Sequence, residues 1–284
     1  MTKAYLPSSV PSVLSPARMR GALAALAVAT AGAQAFAQSA SPSSAGAQQA
    51  SEAAASASGW GLGLGVSSRQ RPYAEAGSKT SAIPLIYYEN SWVRVIGSGA
   101  ELKLGRKEFG PSNAVSFGLK LQYDIEGYEA KDSPRLRGME ERKDSFWGGA
   151  GVTWSNPIAN VSAQVLADLS GNSKGQKMQL QLDRRFTWNR LAVTPRVQAQ
   201  WLDAKYVDYY FGVRSSEALP GRPQYTGESA MAMSFGVRMD YALMPRQSVF
   251  LDVSSTRLPD EIKRSPVVDR SSLSRVTVGY LYRF

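Results

Sequence analysis

The chain has 284 residues, a formal net charge of +10, no cysteine and no histidine. That composition excludes a disulfide, a thiolate metal site, a Ser-His-Asp triad and a histidine-ligated metal. No carboxylate pair flanks an evident cleft either, so no catalytic residue, cofactor or metal is assigned.

In chain order, Lys3, Arg18 and Arg20 form a basic leader without acids, residues 21–33 a short alanine-rich apolar run, and Ala35-Phe36-Ala37 an A-x-A site. This is the layout of a secretory signal peptide, with cleavage predicted after Ala37. The apolar run falls short of the roughly 20 residues a helical span needs. Removing residues 1–37 lowers the formal charge from +10 to +7. An exported, moderately basic chain suits lipopolysaccharide or another anionic envelope polymer and not nucleic acid. Residues 38–58 are Ala, Ser, Gln and Gly with one Pro, one Glu and no apolar period, the composition of a flexible periplasmic tail.

From residue 59 onward, short alternating segments recur between turn residues. Trp60, Leu62, Leu64 and Val66 interleave with Gly61, Gly63 and Gly65, and Val115, Phe117, Leu119, Leu121 and Tyr123 interleave with Ser116, Gly118, Lys120 and Gln122. The final run puts Val276, Val278, Tyr280, Tyr282 and Phe284 on one face and Arg275, Thr277, Gly279, Leu281 and Arg283 on the other. Period-two alternation with one apolar face predicts strands with lipid outside and a polar interior. The fold class is all-β, an antiparallel transmembrane β-barrel spanning residues 59–284. Strands are predicted at 59–68, 82–89, 91–97, 99–105, 114–124, 145–155, 158–169, 176–187, 191–202, 229–241, 247–256 and 273–284. Those twelve satisfy the even count of a barrel with both ends in the periplasm, and they place short turns on the periplasmic side and long loops outside. Residues 206–213 are assigned to an outer loop as a hairpin arm, because another strand would break parity. Loop residues Ser133 and Ser216 should then face outside, and Asn189 the periplasm. Trp60, Trp154, Trp188, Tyr241 and Phe284 fall at periplasmic strand ends, and Tyr123 and Trp201 at outer ends, as expected of aromatic girdles.

Two groups of candidate site residues follow. Parity points Lys120, Lys177, Asp183, Arg185, Arg196, Arg238, Asp240 and Arg275 into the lumen, where charges can select a solute or pair and close the path. Tyr206, Tyr209, Tyr210, Phe211 and Tyr225 crowd the 203–228 loop, either as an inward plug or as anchors of an outer recognition surface.

Several stretches resemble the MipA/OmpV family of outer-membrane proteins: Ser254-Ser255-Thr256-Arg257-Leu258, Ser265-Pro266-Val267-Val268, Gly279-Tyr280-Leu281-Tyr282-Arg283-Phe284, Tyr209-Tyr210-Phe211-Gly212-Val213 followed by Tyr225, and Arg71-Pro72-Tyr73 followed by Ile83-Pro84. The similarity runs over residues 59–284. Residues 259–264 are more basic than the family's glycine-and-acid-rich stretch. The carboxy-terminal Tyr280, Tyr282 and Phe284 resemble the signal that barrel-assembly machinery reads. The resemblance implies a non-enzymatic outer-membrane barrel, with a lytic transglycosylase and a murein synthase as partners of a scaffold. The tail 38–58 and the turns at 106–113 and 242–246 are the candidate contact surfaces. A narrow, anion-preferring channel and a surface adhesin stay open as alternatives.

Overall fold

The computed structural model describes residues 59–284. The predicted signal peptide, its cleavage site and the tail 38–58 lie outside the described residues. Thirteen strands form one antiparallel sheet: β1 (Gly59–Gln70), β2 (Ser78–Glu89), β3 (Val93–Ile96), β4 (Gly99–Gly110), β5 (Asn113–Asp124), β6 (Ser145–Ser155), β7 (Asn160–Asp168), β8 (Gln176–Asp183), β9 (Phe186–Trp188), β10 (Leu191–Leu202), β11 (Ala230–Met244), β12 (Gln247–Arg257) and β13 (Ser272–Arg283). β8 and β9 are two pieces of one stave, interrupted at Arg184–Arg185, and both pair with β10. Each stave otherwise pairs with its neighbours in sequence, and β1 pairs with β13. The result is a closed barrel of twelve staves. Closure satisfies the backbone without a lipid-exposed helix, and no described helix is long and apolar enough to cross a membrane.

The alternation follows the membrane. Leu62, Leu64 and Val66 are exposed on the outer face, with Leu64 at 72%, while Gly61, Gly65 and Ser67 are buried. The glycines serve the closure. A Cβ on Gly63 would lie 1.9 Å from the Tyr280 carbonyl oxygen, so no side chain fits there. Ser67 and Thr277 hydroxyls meet across the same seam at 2.9 Å.

Several expectations need correction. β4 runs to Gly110, so the predicted 106–113 turn is mostly strand, and only Pro111 and Ser112 turn. Bulges at Lys103/Gly105 and Glu108/Gly110 absorb the breaks in alternation and let pairing continue. β11 likewise reaches Met244 through a bulge between Ala242 and Met244, which shortens the 242–246 turn. Residues 206–213 are not a hairpin arm. They hold helix α1 (Ala204–Phe211), because Asp203 caps its first turn by accepting from the Tyr206 amide at 2.8 Å, and Tyr206, Val207, Tyr210 and Phe211 share one buried face.

Ser133 is buried, with its hydroxyl donating to the Ala74 carbonyl, so an outer loop does not make it an accessible site. Ser216 and Asn189 are both exposed. A cysteine at Ser216 should react with an impermeant maleimide on intact cells, and one at Asn189 only after the outer membrane is breached. Labelling of both on intact cells would overturn the strand count.

Candidate functional site: the capped lumen and the periplasmic rim

The outer mouth is closed by its own loops. One apolar cluster joins Tyr73 from the β1–β2 loop, Tyr128, Leu136 and Met139 from loop 125–144, helix α1, and Ile262 and Val267 from the last loop. Ile262 lies on the short helix α2 (Asp260–Lys263). Trp147 and Leu166 rise into the cluster from β6 and β7. The rings interlock, with Tyr206 to Tyr210 at 4.8 Å, Tyr209 to Tyr210 at 4.9 Å and Tyr73 to Tyr128 at 4.6 Å. Tyr225 packs against the cluster, bridges Val213 and donates its hydroxyl to the Glu261 carbonyl. The five candidate loop aromatics therefore share one packed body at the mouth.

Polar bonds tie the cap together. Arg142 places its guanidinium on Glu217 at 2.9 Å, on the Tyr209 carbonyl at 2.7 Å and on the Glu140 carbonyl at 2.8 Å. Burial pushes the Glu217 carboxyl up, but backbone N–H groups of Arg214 and Glu140 together with Arg142 outweigh it and hold the group below the ordinary range. Burial next to Asp124 raises the Glu126 carboxyl to about 7, and the Tyr206 hydroxyl donates to it.

Below the cap the lumen charges are paired. Lys120 meets Glu101 at 2.7 Å, Arg196 makes two 2.7 Å bonds to Asp252, and Arg185 and Arg238 share Asp240 at 3.3 and 2.8 Å. Asp183 accepts from Gln181 at 2.7 Å and from Asn160 at 3.3 Å. Lys177 pairs with Asp124 and lies 4.0 Å over the Trp147 ring. Arg275 lines a cavity just under the cap. Sequence reasoning missed the acids Glu101, Asp124 and Glu126; alternation with Val249, Leu251 and Val253 turns Asp252 inward, but did not mark it as a partner. Asp124 was legible, because it shares parity with Lys120 and Gln122. It also missed a network at the periplasmic end, where Glu89 accepts from Arg94 at 2.8 Å, Lys103 at 2.6 Å and the Tyr87 hydroxyl at 2.6 Å. Among the described residues no group of three or more acids is placed to hold a metal ion.

At the periplasmic rim β3 starts opposite Leu102, so, among the described residues, positions 104–110 of β4 have β5 on one side and no strand on the other. This arm carries Arg106, Lys107 and an exposed Phe109. Phe284 is 67% exposed at the same end, its amide donating to the Trp60 carbonyl at 2.9 Å.

The family model for MltA-interacting protein MipA matches residues 62–284, the barrel almost from end to end. The chain belongs to the MipA family. Relatives agree in extent. The MltA-interacting protein of Escherichia coli is 27% identical over 220 residues, which is 76% of this chain and 86% of the relative. Outer membrane protein OmpV of Vibrio cholerae is 24% identical over 170 residues, 60% of this chain and 66% of the relative. Outer membrane protein Omp26La of Vibrio anguillarum is 23% identical over 172 residues, covering 61% and 67%. With a closed lipid-facing barrel, this MipA family member is a protein of the bacterial outer membrane.

Proposed function

We propose that the protein is a non-enzymatic scaffold of the outer membrane that presents a periplasmic docking edge to a murein-remodelling enzyme. The carrying observation is the edge of β4 at residues 104–110, which no described strand covers and which carries Arg106 and Lys107. A free strand edge recruits an extended segment through main-chain hydrogen bonds, and flanking side chains select it. The name of the Escherichia coli relative, MltA-interacting protein, supports this kind of partner. The capped mouth and the paired lumen charges favour a scaffold over a conducting channel. The same cap turns the loop aromatics inward, which leaves little ring surface for an adhesin.

The test is crosslinking of the refolded barrel to a purified lytic transglycosylase from the same organism. The double variant Arg106→Glu/Lys107→Glu should reduce capture at least fivefold with heat-modifiable folding retained. Equal capture by the variant, or none by the parent barrel, sinks the reading.

A further inference from the structure

The lipid-facing wall carries a charge where the stave of β8 and β9 is interrupted. Leu182, Arg184, Phe186 and Trp188 share parity, and all four are exposed. Arg184 therefore leaves the barrel on the lipid side, while its neighbours Asp183 and Arg185 turn to the lumen, the one to Gln181 and the other to Asp240. It stands four residues above Trp188, about 13 Å along the strand, and so above the periplasmic girdle. Charge on the lipid face is destabilising at depth. The guanidinium lies 5.2 Å from the centre of the Phe186 ring, and Phe186 stacks on Trp188 at 5.9 Å. The side chain thus reaches along two rings toward the periplasmic interface.

The backbone is unanswered at the same residue. Arg184 N–H donates to the Pro195 carbonyl at 3.3 Å, and the Arg184 carbonyl faces the same strand. Pro195 has no N–H to return, which breaks the stave.

Arg184 lines a depression of about 630 Å³, a size within the range of ligand sites. Two rows of outward side chains edge it. Leu182, Val197 and Phe235 stand in one row by register, and Pro195 and Val237 in the next. Asp183 and Arg196 lie between the rows on the floor, but their side chains are engaged in the lumen, with Gln181 and Asn160 and with Asp252. The far end reaches Ser274, near the outer end of β13. The depression therefore climbs from a cation on the periplasmic side along an apolar floor toward the outer side, the order of head and tail in a lipid of the inner leaflet.

The charge on this face has one sign. Arg190 is exposed in the β9–β10 turn, below Trp188. Among the described residues neither Arg184 nor Arg190 has an ion-pair partner. The acids of β8 to β11 are Asp183 and Asp240, and Asp240 is held inside by Arg185 and Arg238. Guanidinium binds phosphate oxygens through paired N–H donors, whereas the ammonium of a zwitterionic head would find no carboxylate here.

We propose that this depression holds an anionic phospholipid of the inner leaflet, its phosphate on Arg184 and one acyl chain lying between the two rows. The site uses none of the residues of the β4 docking edge.

Palmitoyl-oleoyl phosphatidylglycerol is the probe, offered with an equimolar amount of the matching phosphatidylcholine to the mature barrel in a neutral detergent and read by native mass spectrometry. Retention of phosphatidylglycerol is expected at least tenfold over phosphatidylcholine. Arg184→Gln should cut that preference at least fivefold. Val237→Trp, which fills the depression and leaves the charge alone, should cut phosphatidylglycerol retention at least fivefold. Should these variants fail to fold, displacement on the parent barrel decides instead: neither phosphatidylethanolamine with the same chains nor inorganic phosphate should release the bound lipid. Equal retention of the two lipids, an unchanged preference in Arg184→Gln, unchanged retention in Val237→Trp, or release by phosphatidylethanolamine or phosphate would each overturn the proposal. So would crosslinking of Val237→Cys barrels to one another with no lipid retained, which would assign the depression to a second copy of the chain.

Discussion

Replacing Asp124 with alanine should destabilise the barrel by about 3–5 kcal/mol, the usual cost of stripping one partner from a buried ion pair. Asp124 is 0% and Lys177 1% exposed at the side chain, and the pair joins β5 to β8 across the lumen beneath the cap. Without the carboxylate the ammonium keeps the Trp147 ring, 4.0 Å away. A cation–π contact is worth about 2 kcal/mol when desolvated, so it offsets only part of the loss. Urea unfolding in vesicles, followed by tryptophan fluorescence, measures the effect. Adding Lys177→Met should recover most of it, because an apolar pair of similar volume no longer strands a charge. An Asp124→Ala midpoint equal to that of the parent would show that the pair contributes nothing.

The second large effect is expected at Arg142. Its side chain and that of Glu217 are 1% and 2% exposed, and its guanidinium joins loop 125–144 to the 203–228 segment by three kinds of partner: the Glu217 carboxylate, the Tyr209 and Glu140 carbonyls, and the Tyr128 and Tyr209 ring faces at 5.7 Å. Arg142→Ala leaves Glu217 buried with only backbone donors from Arg214 and Glu140. The cap should loosen by about 3–5 kcal/mol while the wall, which shares none of these bonds, stays closed. The readouts are faster proteolysis within 125–144 and 203–228 and a change in a planar bilayer. The parent barrel should be silent and the variant should show discrete openings. A conducting parent would restore the channel reading, and a silent, protease-resistant variant would mean that the apolar cluster alone holds the cap.

What could be read beforehand divides by the range of the interaction. Alternation is local, and residues such as Leu62, Leu64 and Val66 facing away from three glycines were enough for a strand, its face and, by parity, the twelve staves. Helix α1 was legible in principle, since Asp203 precedes a buried face spaced i, i+1, i+4, i+5 at Tyr206, Val207, Tyr210 and Phe211. The aromatic crowding disguised it, because tyrosine and phenylalanine also favour strands. The run of β4 past Lys103 was hidden by bulges, which break alternation without ending pairing. The lumen pairs were half visible: parity turned Lys120 and Arg196 inward, but only register set Glu101 opposite Lys120, and Arg196 meets Asp252 by reaching over Gly236 across the intervening β11. The shortness of β3 was hidden: residues 91–97 read as one strand, and only its pairing with β2 and β4 shows that it keeps Val93–Ile96 alone.

The seam between β1 and β13 sets the order in which the barrel can be finished. Leu62 finds Tyr282 and Gly65 finds Gly279 across more than two hundred residues, the most distant pairing in the fold. The first stave made therefore waits for the last, with one row of N–H and C=O groups unanswered throughout. Such long loops close slowly, and an idle edge is open to wrong neighbours meanwhile. With glycines along β1 that admit the chain only at close approach, the wait ends in one register or not at all, which makes the survival of that edge, not the making of hairpins, the step most in need of a chaperone.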